Sequence, residues 1–119
     1  MRTNEMEELC KNVENAVEQL RTGFRSKIDT PEMLDRFWCV QDHLARLVDS
    51  ASDYQQDTFD ILRRNHPRLI RNIIDVLSFT DRGQLRSLSA VNRATLAING
   101  SLAALEYLRE EGRAMAATT

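Results

Sequence analysis

Apolar residues recur along most of the chain at steps of three and four, the signature of helices that bury one face. The first such run is Met6, Leu9, Val13, Ala16 and Leu20, widened by Cys10, Val17 and Phe24. Asn4 and Glu7 have capping-box spacing, so the pattern predicts a helix beginning near Thr3 or Asn4, with Gly23 as its stop. The tripeptide Thr30-Pro31-Glu32 then restarts a helix, with threonine capping, proline in the first turn and glutamate facing the helix dipole.

From Met33 the spacing is the most regular in the chain. Met33, Phe37, Val40, Leu44, Leu47, Ala51, Tyr54, Thr58 and Ile61 step 4, 3, 4, 3 without interruption. A seam at 3.5-residue spacing keeps one helix facing another. A single helix over about 31–64 would be on the order of 45 Å long, more than a compact domain of this size needs. The polar patch Asp49-Ser50-Ala51-Ser52-Asp53 allows a division into two helices, but the seam holds its phase across it, so one long helix is expected.

Asn65-His66-Pro67 ends that element. A short helix over about 67–79 is predicted to bury Leu69, Ile70, Ile73, Ile74 and Leu77. After a turn at Thr80-Asp81-Arg82-Gly83, a last helical region runs from about Gln84 to Glu111, with Leu85, Leu88, Val91, Thr95, Ile98, Leu102 and Leu105 on one stripe. Asn99-Gly100 is a candidate kink, and Ala90, Ala94, Ala97, Ser101 and Ala104 make a second stripe of small side chains open to close helix approach. The expected architecture is all-α: a small bundle of four to five helices with one long helix, forming a single domain over 1–112 and a flexible tail over 113–119, and dimeric.

Composition agrees with helices. Only four glycines and two prolines interrupt 119 residues, and 6% aromatics with few β-branched runs argue against a sandwich or barrel. A chain this long buries enough surface to fold without staples. The net charge of −2 conceals an imbalance: residues 1–60 carry seven basic against thirteen acidic side chains, and 61–119 carry nine against five. Such a split favours attraction between faces or an acidic partner for the basic half. Two cysteines do not make a disulfide framework, the start lacks the apolar core of a signal peptide, and no apolar run spans a membrane, so a cytoplasmic location with no membrane partner is expected.

Candidate chemistry is sparse. Cys39 and His43 share a helix face, and Cys10 with His66 would complete four ligands, but structural zinc sites bring close-spaced pairs at both ends, so no metal and no cofactor are expected. His43 in a helical bundle has the general form of a histidine phosphotransfer domain, yet Leu44-Ala45-Arg46-Leu47 follows it in place of that family's lysine and glycine. No carboxylate pair, nucleophile triad or phosphate loop stands out, so no catalytic residue is assigned and no enzyme is expected.

Binding surfaces remain. Arg63, Arg64, His66, Arg68 and Arg71 place five basic or titratable groups in nine residues. The segment from Gln84 to Leu96 resembles the helix-turn-helix of many bacterial regulators, with Arg86 and Ala90 departing from it; the resemblance implies that Asn92, Arg93 and Thr95 face bases or phosphates. An uninterrupted packing helix carrying Leu88, Val91, Thr95 and Ile98 is the preferred alternative. The main functional expectation is a small regulatory protein of bacterial type that acts by binding another protein, as an antagonist of a transcription factor, an adaptor or a chaperone. Its interface, expected to form a homodimer, would draw on Met33, Phe37, Trp38, Val40, Leu44, Leu47 and Tyr54. DNA binding through about 67–99, with Arg63, Arg64, Arg68, Arg71, Asn92, Arg93 and Thr95 as contacts, is the alternative.

Overall fold

The computed structural model describes the backbone of residues 2–53, 55–82 and 88–118, and the side chains of these apart from 2–4, 55–57, 81–82 and 112–118. Among the described residues the architecture is all-helical: α1 Arg2–Ser26, α2 Thr30–Asp53, α3 Gln55–Asn65, α4 Leu69–Leu77, the single turn α5 Phe79–Arg82, and α6 Ser89–Thr118. A small all-α bundle is therefore the fold, and α2 lies at its centre, packed along α1 and α6.

The first helix begins at Arg2 and passes straight through Asn4 and Gly23, so neither residue delimits it. Its stop is Lys27, the one non-glycine residue with positive φ (52°) among the described residues, and the Ile28 N–H reaches back to the Gly23 carbonyl at 3.3 Å. That six-residue return is a Schellman-type closure carried by lysine instead of glycine. Gly23 serves a different purpose, because a Cβ there would lie 2.9 Å from Met33 Sδ and 3.1 Å from Ile28 Cδ1. Its bare backbone lets α2 approach closely. Helix α2 starts one residue before the expected cap: the Asp29 carbonyl takes the Met33 N–H at 3.0 Å, leaving Thr30 and Pro31 in the first turn.

The expected long helix over 31–64 is described in two parts, α2 and α3, with Tyr54 between them outside the described residues, and the two parts are not collinear. Ser50 Oγ and Thr58 Oγ1 both donate to Met6 Sδ at 3.0 Å, which puts the two hydroxyls within about 6 Å of each other. In a straight helix eight residues advance about 12 Å, more than two such short side chains can close. The chain thus turns around the N-terminal end of α1 instead of projecting beyond it.

Helix α4 begins after Arg68, where the Leu69 N–H closes a turn onto the His66 carbonyl at 3.2 Å. It buries Leu69, Ile73, Val76 and Leu77, while Ile74, expected inside, is 54% exposed. The nine-residue helix is too short to cover both sides of its stripe, and Val76 takes the inward place. Phe79 of α5 packs on Phe24 with ring centroids 5.4 Å apart, and Phe24 meets Phe37 edge-on at 5.9 Å, closing the end opposite Met6.

Helix α6 runs without a break through Asn99-Gly100 and past Gly112 to Thr118. The expected tail over 113–119 is accordingly helical as far as Thr118, in keeping with the high helix propensity of Ala114, Ala116 and Ala117. The proposed start at Gln84, together with Leu85, lies outside the described residues. Val91, Ala94, Ile98, Leu102 and Leu105 face the core, and Ser101 Oγ donates to Gln41 Oε1 of α2 at 3.1 Å.

Candidate interaction surfaces

The heptad seam of α2 is the centre of the chain's own core. Phe37, Val40, Leu44 and Leu47 have no exposure and Met33 has 2%, so these five side chains cannot meet a partner without unfolding the bundle. The reason is the division at α2 and α3: the seam is no longer than α1 and α6 can cover from the same chain. Of the residues expected at an interface, Trp38 alone is open, at 40% exposure, and Tyr54 lies outside the described residues.

The basic group splits as well. Arg63, Arg64, Arg68 and Arg71 are all exposed around the α3–α4 junction, with Arg63 paired to Asp60 at 2.6 Å. Asn92 and Arg93 are exposed on α6, but Thr95 has a buried hydroxyl with no hydrogen-bond partner. From Ser89 onward the backbone is one helix, and the Asn92 N–H bonds the Leu88 carbonyl at 3.0 Å. No turn separates Val91 from Asn92, which removes the helix-turn-helix geometry at the point where it required one; Gln84, Leu85 and Arg86 lie outside the described residues.

His66 is a buried polar side chain with two charged partners, and its setting was not visible in the spacing. Its ring is 5% exposed and lies between two carboxylates of α1: Nδ1 is 2.5 Å from Glu14 Oε1 and Nε2 is 3.3 Å from Glu7 Oε1. Asn65 Nδ2 adds a bond to Glu7 Oε2 at 3.2 Å. This clamp ties the α3–α4 junction to α1. Cys10, buried on the same stretch of α1, has its thiol pushed up from 9.0 to about 12 by burial first and by Glu7 and Glu14 next. The only advance signal was that Glu7, Cys10 and Glu14 lie three and four residues apart on one helix face.

Cys39 is exposed and His43, half-buried, leaves Nδ1 without a partner; neither approaches the Cys10–His66 region closely enough to make a ligand group among the described residues.

The open surface with regular spacing is the outward side of α6. Leu96 is 70% exposed and Tyr107 64%, and Gly100 and Ala103 lie exposed between them at steps of 4, 3 and 4. A Cβ added at Gly100 would touch nothing within 4 Å. The Tyr107 hydroxyl donates to Glu111 Oε1 at 2.8 Å, which lays the ring along the helix and raises the phenol above its ordinary value. The stripe of small residues read from the sequence sits beside this face and not on it, with Ala94 buried and Ala90, Ala97, Ser101 and Ala104 half-buried. Among the described residues no helix is long and apolar enough to cross a membrane. Comparison of the chain with protein-family models, curated proteins and solved structures found no match.

Proposed function

We propose that this chain is a small regulatory protein that acts by binding protein through the outward face of α6, in the cytoplasm of a bacterial cell. The observation that carries the reading is a heptad-spaced row holding Leu96 and Tyr107 largely in water, on a helix whose opposite face is packed from Val91 to Leu105. Large side chains left exposed at helical spacing are what a helix-in-groove or helix-on-helix contact uses. Two unpaired cysteines, one of them exposed, suit a reducing compartment. An antagonist of a transcription factor, an adaptor and a chaperone all work by occupying a partner's surface in this way.

The test is a photo-crosslinking residue placed at Gly100, with a second placed at the exposed Glu18 of α1 as control. A discrete protein adduct in host cells from position 100, absent from position 18, is the expected result. Equal or no adducts from both positions would overturn it. A second reading, duplex DNA held by Arg63, Arg64, Arg68 and Arg71, draws on their common exposure at one junction. It requires salt-sensitive retention on duplex DNA that Arg68→Glu abolishes.

A further inference from the structure

We infer that the outward face of α6 binds a second copy of itself, antiparallel, about a twofold axis passing between positions 101 and 102. This rests on the protein-binding reading above and names its partner. The row extends one step beyond Leu96 to Arg93 and one step beyond Tyr107 to Glu110, both exposed. Arg93, Leu96, Gly100, Ala103, Tyr107 and Glu110 then step 3, 4, 3, 4, 3. That series reads the same in both directions, which a twofold contact between identical helices requires.

Antiparallel pairing in this register sets Leu96 against Tyr107 of the second copy and Gly100 against Ala103. The large side chains fill the outer layers, and the small ones let the two backbones come close at the centre, where no atom of the chain itself intrudes. At each end Arg93 meets Glu110, a charge match that appears twice by symmetry. Glu110 also lies 3.7 Å from Arg109 of its own helix, so the cross-helix pair forms in exchange with that contact. Of the flanking positions, Asn92, Ala97, Asn99 and Ala104 are uncharged, and the two glutamates, Glu106 and Glu111, fall opposite Ala97 and Asn92 and so meet no like charge. Parallel pairing would instead stack Arg93 on Arg93 and Glu110 on Glu110, so the charges select the antiparallel arrangement.

The seam from 93 to 110 is about 26 Å long, at the small end for an interface, so the dimer is weak and in exchange with monomer. Sedimentation equilibrium of the full chain is expected to show a concentration-dependent monomer–dimer mixture. Arg93→Glu alone and Glu110→Arg alone each weaken association by about tenfold or more. The double reversal, Arg93→Glu with Glu110→Arg, restores it, because the pair is remade across an antiparallel axis. Leu96→Glu abolishes the dimer while leaving the helical circular dichroism of the monomer intact, since the side chain carries little of the core.

A monomer at every concentration, or a dimer indifferent to Leu96→Glu, overturns the inference. So does a double reversal that fails to recover association. A monomeric chain that still yields a heterologous adduct from position 100 ends the self-association and keeps the protein-binding reading; loss of both ends both.

Discussion

Replacing Leu44 and Leu96 separately by alanine tests the assignment of the two heptad rows. Leu44 is wholly enclosed and Leu96 is 70% exposed, although both occupy seam positions on amphipathic helices. Leu→Ala removes three carbon groups, each contributing about 0.8 kcal/mol when fully buried, or about 2.4 kcal/mol of transfer energy at position 44. The surrounding Phe37, Val40 and Leu47 have no exposure and sit on rigid helices, so the hole closes only in part. With the cavity contribution, Leu44→Ala is expected to cost about 3–4 kcal/mol. At position 96 less than a third of the residue is covered, and alanine's higher helix propensity returns a few tenths, leaving a change of about 0.5 kcal/mol or less. Urea unfolding followed by circular dichroism, at protein concentrations too low for association, gives both values. With a slope near 1.5 kcal/mol per molar urea, Leu44→Ala lowers the midpoint by about 2 M and Leu96→Ala barely moves it. Comparable losses at the two positions, or a loss below about 1 kcal/mol at 44 accompanied by a change in sedimentation, would refute the placement of the α2 seam inside a single chain.

Four further outcomes follow from the same packing. Gly100→Ala, in open space on α6, gains about 1 kcal/mol of helix stability, whereas Gly23→Ala forces Met33 Sδ and Ile28 Cδ1 aside and loses about 1 kcal/mol net in thermal melts; equal gains at both would contradict the close approach of α2 to α1. Ellman titration of the folded protein at pH 8 reads one thiol, the exposed Cys39, because Cys10 with a value of about 12 is ionised at only about one part in ten thousand. Since the unfolded thiol releases its proton first, the Cys10 contribution to stability is complete below pH 9.0 and is lost as pH rises towards about 12; Cys10→Ala lacks that decline. His66→Ala leaves Glu7 and Glu14 facing an empty site and costs about 1–3 kcal/mol, less when both carboxylates are already Gln, a coupling that a double-mutant cycle reads as thermal shifts.

Periodicity located the helices because each has a face that must be buried, and burial leaves a repeat of three and four in the sequence. The inward faces of α1 and α2 were readable almost residue by residue for that reason. Their ends were less so. Lys27 closes α1 in a left-handed conformation that nothing about lysine announces, and Gly23, the residue type suited to that conformation, is required instead by Met33, ten residues further along the chain. The division between α2 and α3 was hidden because the seam keeps its phase on both sides while the chain folds round Met6, whose sulfur receives Ser50 and Thr58 from different helices. The His66 clamp joins residues more than fifty positions apart, and no local pattern carries a contact of that kind.

The candidate surface was missed for a more general reason. A row of apolar residues at heptad spacing states only that one helix face avoids water; it does not state whose atoms cover it. On α2 the longest such row is covered by the chain itself, and its length, taken as a surplus, disappears once α3 turns back. On α6 the strong inward row through Val91, Ile98, Leu102 and Leu105 masks a weaker outward one, because Gly100 and Ala103 contribute almost nothing to an apolar count. Those two small residues are what allow another backbone to come near, so the property that conceals the row from a hydrophobicity pattern is the one that fits it for a helix. Arg93 and Glu110, which a core-seeking reading discards as solvated ends, then define the direction of pairing. The functional surface is thus read by subtraction: the core accounts for the strongest pattern on α6, and the residual pattern, with its charges included, has the symmetry of a contact between two identical helices.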